Sequence, residues 1–231
     1  MTDTSPIAAA LSGRARIASG GVAAERNGAP GAVGPGAGPE PGLVESLRHH
    51  LHAGETHYPV RPGMTELRER VSGRLTELGL PDRGVEGVLI TASEGEALFV
   101  ALLGLGVFPG GSLTGPVGSR HQALMDWMEI PVDPDPESTD DGLSFHDPAS
   151  GVTIRVVGAA PFEPGHAGPI AEEDDVVVGQ LEVDQMAPFT LGFAAAEPEQ
   201  IKRITKWKQA SSICAPGPSQ RAALWALGER P

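Results

Sequence analysis

The chain has 231 residues, with 30 acidic and 17 basic side chains and a formal net charge of −13. That balance repels a polyanion such as nucleic acid, and no Lys/Arg block offsets it locally. Apolar residues make up 40% and charged residues 20%, as in globular proteins, and no stretch approaches the roughly 20 apolar residues of a membrane span.

The single cysteine, Cys214, cannot form an intrachain disulfide, and the N-terminus lacks the basic-then-apolar order of an export signal. A cytoplasmic setting is expected. Residues 1–42 are predicted to be a disordered tail, because "ASGGVAAERNGAPGAVGPGAGPEPG" (Ala18–Gly42) has almost no large side chains to bury. Residues 43–231 are expected to form one α/β domain.

"LVESLRHHLH" spaces Leu43, Leu47 and Leu51 four apart and predicts a helix. The prolines and glycine of "THYPVRPGM" (Thr56–Met64) break it. From Thr65, Leu67, Val71, Leu75 and Leu78 form one apolar stripe, closed by Gly79. "GVLIT" (Gly87–Thr91) reads as a buried strand, "ASEG" as a loop, and Glu96–Phe108 as a helix apolar nearly all round, ended by Pro109–Gly111. Strand, loop and buried helix in that order are an α/β building block.

A weaker strand is expected near Leu113 and a helix at Arg120–Met128. "PVDPDPESTDDG" (Pro131–Gly142) reads as an acidic surface loop. Strands are predicted at Val152–Gly158, Asp175–Val183 and Phe189–Ala195, with "AAPFEPGHAGP" as a loop. "EPEQIKRITKWKQA" predicts a helix with Pro198 in its first turn and Ile201, Ile204 and Trp207 on one side. Its basic residues read as a solvated face. Ser219–Gly228 predicts a last short helix.

The order of residues is specific in three places. Tyr58, Pro59, Gly63, Leu67 and Arg68 fit a Tyr-Pro-x-x-x-Gly-x-x-x-Leu-Arg pattern without a gap. "VLITASEGEALFVALLGLGVFPGG" and "GQLEVDQMAPFTLGFAAAEPEQIKRITKWKQASS" follow in turn. Together these blocks resemble the class I/II aminotransferases, pyridoxal-phosphate enzymes of fold type I. The resemblance covers about a third of the chain. It implies a reduced aminotransferase large domain, with a mostly parallel or mixed sheet flanked by helices.

The resemblance also assigns positions. It puts Asp184 where the family carries its imine-forming lysine, and a carboxylate cannot form an imine. It puts Thr190 at the phosphate-binding arginine, and Ser93, Glu94 and Gly95 in the phosphate loop. Glu94 there would compete with a phosphate for the same N–H donors, although an acid at a helix start is itself favourable. Arg120 or His121 falls at the aromatic residue that stacks on the cofactor ring.

No aspartate for the pyridine nitrogen is evident, and the 93 residues from Thr91 to Asp184 are far fewer than in the family. The family's C-terminal domain is not matched. Transamination by this chain alone is therefore not expected, and pyridoxal phosphate is not expected as a covalent cofactor; non-covalent binding stays open. Tyr58, which in the family reaches the partner's cofactor phosphate, is expected at an interface. A homodimer, or a heterodimer with an active aminotransferase, would use it.

Three readings follow. The chain is a pseudoenzyme that serves as partner subunit or ligand-binding scaffold. Or it has remodelled chemistry in the former cofactor cleft, with Asp184, Glu94 and Arg120 or His121 converging. Or a second chain completes it. The plain alternatives are that Asp184 is a turn residue and that Glu94 caps a helix. His146-Asp147 and Glu163-x-x-His166 read as loop pairs without metal-site spacing, so no metal is expected.

Overall fold

The computed structural model describes residues 39–115, 119–135, 143–162, 166, 170–172, 175–183, 186 and 189–228. The predicted tail through residue 38 lies outside them, and so does Asp184. Six α-helices and seven strands are present among the described residues. The helices are α1 (Pro41–His52), α2 (Thr65–Glu77), α3 (Glu94–Leu105), α4 (Gln122–Met128), α5 (Pro198–Ser211) and α6 (Gly217–Ala226). The strands are β1 (Val88–Thr91), β2 (Leu113–Gly115), β3 (Val132–Pro134), β4 (Leu143–His146), β5 (Thr153–Val156), β6 (Val176–Leu181) and β7 (Leu191–Ala195).

The strands form one mixed sheet in the order β1-β7-β6-β5-β4-β2-β3. β7 is antiparallel to both of its neighbours, and so is β4, while β5–β6 and β2–β3 are parallel pairs. β4 and β7 thus run against the other five strands. The C-terminal ends of β1, β2, β5 and β6 consequently lie on one edge of the sheet, the edge where open α/β sheets place their ligands.

Period-two alternation sorts the side chains between two cores. Val88, Ile90, Val177, Phe193 and Ala195 pack with Leu67, Val71 and Leu75 of α2. Leu89, Val176, Val178 and Ala194 pack with Ala97, Val100, Ala101 and Leu102 of α3 and Ile201 and Ile204 of α5. The register makes the alternation exact across strands, with Val88 opposite Ala195 opposite Val177, and Leu89 opposite Ala194 opposite Val178. The result is helices on both faces of a central sheet.

Local chemistry explains the helix ends. At the end of α2, Leu80 N–H donates to Leu75 O (3.1 Å) and Gly79 N–H to Thr76 O (3.0 Å), with Gly79 at φ +94°. This double closure needs a left-handed residue, which glycine supplies without strain. α3 packs so closely on α5 that a Cβ at Gly104 would lie 2.6 Å from Ile204 Cα. Arg68 of α2 is buried; its Nε donates to Val88 O (3.0 Å) and its Nη2 to Val85 O, tying the helix to the entry of β1.

Several sequence expectations change. α3 starts at Glu94, not Glu96, and ends at Leu105, capped by Gly106 (φ +85°) three residues before the Pro-Gly-Gly. Within the predicted loop Pro131–Gly142, Val132–Pro134 is an edge strand paired with β2; a proline is tolerated there because the outer side of an edge needs no donor. His146 ends β4 and pairs with Thr153 in a hairpin, so it is not a loop residue. Trp207 is 46% exposed, and Lys208 takes the buried place instead. The buried stripe of α5 is Ile201, Ile204, Thr205 and Lys208, which holds the i, i+3, i+4, i+7 spacing; Trp207 falls off it.

Candidate functional site

The site grows from the loop between β1 and α3. Ser93 is the N-cap of α3, and its Oγ accepts from Glu96 N–H (3.1 Å). Glu96 answers through Oε2, which accepts from Ala92 N–H (2.6 Å). Thr91 Oγ1 donates to Ser93 O (2.8 Å). The loop is therefore held by its own side chains, close to a capping box in form.

β7 supports the loop from below. The register brings Gly192 opposite Thr91, directly under the start of α3. A Cβ at Gly192 would overlap the Ser93 carbonyl and lie 2.6 Å from Glu94 N, so only glycine allows this approach.

Two acids leave the first turn of α3 in different directions. Glu96 meets Lys208, which is fully buried: Lys208 Nζ lies 3.1 Å from Glu96 Oε1 and 2.6 Å from Ser212 Oγ. Ser212 Oγ also donates to Glu96 Oε1. This pair joins the end of α5 to the start of α3.

Glu94 is buried and turns toward the segment before α4. Arg120 Nε (3.0 Å) and Nη2 (2.9 Å) and His121 Nε2 (2.9 Å) all converge on Glu94 Oε1. Among the described residues, the buried Glu94 Oε2 has no hydrogen-bond partner. Burial by itself raises the Glu94 carboxyl, but the His121 hydrogen bond and the Arg120 charge outweigh it and hold the group below the usual carboxylate range. An ionised carboxylate only accepts, so His121 Nε2 carries the proton it donates. Gly158, just beyond β5, faces the cluster: a Cβ there would lie 3.4 Å from Arg120 Nη2 and 3.9 Å from Glu94 Oε2.

The predicted residues are thus partly assembled. Glu94, Arg120 and His121 meet, and Ser93 and Gly95 flank Glu94. The capping role assigned to Glu94 belongs to Ser93, because the Glu94 carboxylate is drawn to the Arg120 guanidinium and the His121 ring. Thr190 is exposed just ahead of β7. Tyr58 is 78% exposed and lines a separate open groove with Leu51, His57, Pro59 and Pro216. Asp184, three residues past the end of β6, is outside the described residues.

Sequence reasoning missed Lys208 and Gly158. The stripe of α5 could have revealed the first. Nothing local marks the second, a glycine at φ +59° at a strand end. Asp147 proves to be a turn organiser, its carboxylate accepting from Ala149 N–H (3.0 Å) and Ser150 N–H (3.2 Å). Among the described residues no group of three or more His, Cys, Asp or Glu could hold a metal ion.

No protein-family model matches the chain, and no curated protein sequence does. Solved structures do match. The aspartate aminotransferase from Thermus thermophilus with maleate superposes with a TM-score of 0.62 at 20% identity, over 84% of this chain and 63% of that one. The fold is that of the aminotransferases. The aromatic aminotransferase from Pyrococcus horikoshii gives 0.63 at 18% identity, over 85% of this chain and 66% of that one. N-Succinyldiaminopimelate aminotransferase from Mycobacterium tuberculosis gives 0.58 at 20%, over 83% and 64%. The chain thus spans a little under two thirds of these proteins.

The aminotransferase fold implies pyridoxal phosphate, so its fit can be tested on the residues present. The chain has three lysines, Lys202, Lys206 and Lys208, and all are on α5. Lys202 is exposed beside Glu199, and the Lys208 ammonium is engaged by Glu96 and Ser212. The start of α3, where a phosphate would find N–H donors, carries the buried Glu94 carboxylate. These residues do not fit a covalently held pyridoxal phosphate.

Proposed function

We propose that this chain is a pseudoenzyme of the aminotransferase fold, a scaffold that supports a partner subunit or binds a small ligand where the family holds its cofactor. One observation carries the reading: the buried Glu94 carboxylate, paired with Arg120 and His121, occupies the start of α3 in a chain whose only lysines lie on α5. Asp184 in the corner between β6 and β7 supports it, since a carboxylate there supplies no amine. The exposure of Tyr58 supports an interface role, with a second copy or a related active enzyme as partner. The lone cysteine supports a cytoplasmic setting.

The test is spectroscopic. Purified protein mixed with one equivalent of pyridoxal phosphate and reduced with borohydride is expected to show no imine band and no adduct above that of free lysine. A trapped adduct that forms at one equivalent of pyridoxal phosphate on a single lysine would overturn the reading.

A second reading is remodelled chemistry, and the convergence of Glu94, Arg120 and His121 favours it. It requires Asp184 to join that cluster. Turnover of a small substrate that disappears in both Asp184→Asn and Glu94→Gln would select it over the scaffold.

A further inference from the structure

All the lysines of the chain are on α5, and Lys202 and Lys206 are exposed there together with Arg203. Lys206 lies four residues after Lys202 and three after Arg203, so both are its neighbours on the helix surface, and like charges at that spacing cost helix stability. The crowding is unusual for this molecule. Among the described residues, every lysine and arginine other than Arg61, Arg70, Arg203 and Lys206 has an acid within ion-pair distance. Three of those four meet on one face, because Arg61 reaches across to α5 and its Nη1 donates to Gln209 Oε1 (3.1 Å). The fourth, Arg70, is on α2, against the opposite side of the sheet.

Beside these cations runs an open groove of about 590 Å³, with Lys202, Lys206 and Gln209 on one side and Pro62, Arg68 and Glu86 on the other. Its acids are already engaged, Glu199 by Lys202 (3.4 Å) and Glu86 by Arg68 (3.5 Å). The surplus on this face is therefore positive, in a chain whose net charge is −13. Trp207, half-exposed, stands one turn from Arg203 on the same helix. Exposed tryptophan beside arginine is the combination that anchors protein interfaces.

We propose that the outer face of α5 and its groove bind an acidic segment of a partner protein. The carboxylates of the segment pair with Arg61, Arg203 and Lys206, and an apolar side chain covers Trp207. A nucleic acid or an anionic bilayer would also meet the acid-rich remainder of the surface. A short segment meets only the charges within a screening length, about 8 Å at physiological salt. This goes beyond the pseudoenzyme reading and does not rest on it.

The experiment is fluorescence anisotropy of the full chain, at physiological ionic strength, with a labelled peptide that alternates Glu and Gly around a central Leu. The same peptide with Gln in place of Glu is the control. The Glu peptide is expected to bind and the Gln peptide is not. Arg203→Glu with Lys206→Glu is expected to weaken binding about tenfold or more. Trp207→Ala should weaken it too, whereas Arg70→Glu, a reversal away from the face, should leave it unchanged. All these positions are exposed, and far-ultraviolet dichroism and melting report whether each variant is folded. If the double reversal does not fold, Arg203→Gln with Lys206→Gln is judged by the same results. No binding of the Glu peptide, equal binding of the Gln peptide, unchanged affinity in Trp207→Ala or in the double variant, or an equal loss in Arg70→Glu would each overturn the proposal. Tighter binding to a DNA oligonucleotide or to anionic vesicles, lost in the double variant, would overturn it in favour of that partner. Self-association of the natural protein lost in the double variant would do so in favour of a second copy. The peptide has no aldehyde, so its binding is independent of imine trapping, which tests the pseudoenzyme reading alone.

Discussion

Glu94 and Glu96 sit in the same helical turn and do different work. Glu96 is fully partnered: Ala92 N–H serves one oxygen, and Lys208 and Ser212 serve the other. Glu94 is lopsided: among the described residues, all its donors are on Oε1 and none on Oε2. A satisfied buried pair joins two elements of the fold, here α3 and α5. An unevenly satisfied one marks a place where stability has not been the sole determinant of the arrangement. Charge alone does not separate the two acids; the partners that the tertiary fold brings to each one do.

The contrast between the two acids is most exposed to test at Lys208. Lys208→Met should cost about 3–5 kcal/mol in denaturant unfolding, because it leaves a mostly buried Glu96 without its cation. Adding Glu96→Gln should restore much of that. If Lys208→Met alone is neutral, Glu96 is not the structural member of the contrast.

Gly192→Ala strikes both acids at once, since its Cβ would overlap the Ser93 carbonyl beneath them. Backbone cannot yield as a side-chain tip can, so about 3 kcal/mol is expected, again by equilibrium unfolding.

Arg120→Ala should be much milder, about 1 kcal/mol in the same measurement. Its side chain is half exposed, solvent screens the pair, and His121 still donates to the Glu94 carboxylate once Arg120 is gone. A loss as large as that at Lys208 would erase the distinction between the clusters.

The smallest effect is in the acid limb. The Glu94 carboxyl is held below its ordinary value of 4.5, so the stability it adds is fully present above that pH and is lost as pH falls through the lower folded value. Glu94→Gln removes this dependence. Between pH 6 and pH 3, taken as roughly the span of carboxylate titration, the natural protein should therefore lose more stability than the variant, read as a steeper fall in melting temperature. Parallel curves would show that Glu94 gains nothing from Arg120 and His121.

Much of the architecture was legible because local rules and the fold agree. The stripe Leu67, Val71, Leu75 with Gly79 announces α2 and its closure. The β-branched runs at Val88–Thr91 and Val176–Leu181 announce buried strands. Other parts were not legible. β3 and β4 are three and four residues long, and an acidic, Pro-rich context hides strands that exist only because a neighbour pairs with them. Trp207 looked like a core residue by type, and Lys208 like a surface one, yet the angle around α5 sets their places. For Lys208, Glu96 offsets the cost of burying the charge.

By itself, the amino-acid sequence determined the alternation of helices and strands, the blocks that resemble the aminotransferases, and the absence of a lysine from the corner between β6 and β7. These follow from residue type and spacing, which are local. Only the tertiary structure decided that Glu94 meets Arg120 and His121 while Glu96 meets Lys208. Those partners are 26, 27 and 112 residues away in the chain. The sheet register, the glycine at 192 and the crossing of α3 with α5 bring them within hydrogen-bond reach, and at that range burial and pairing, not sequence position, set what each carboxylate does.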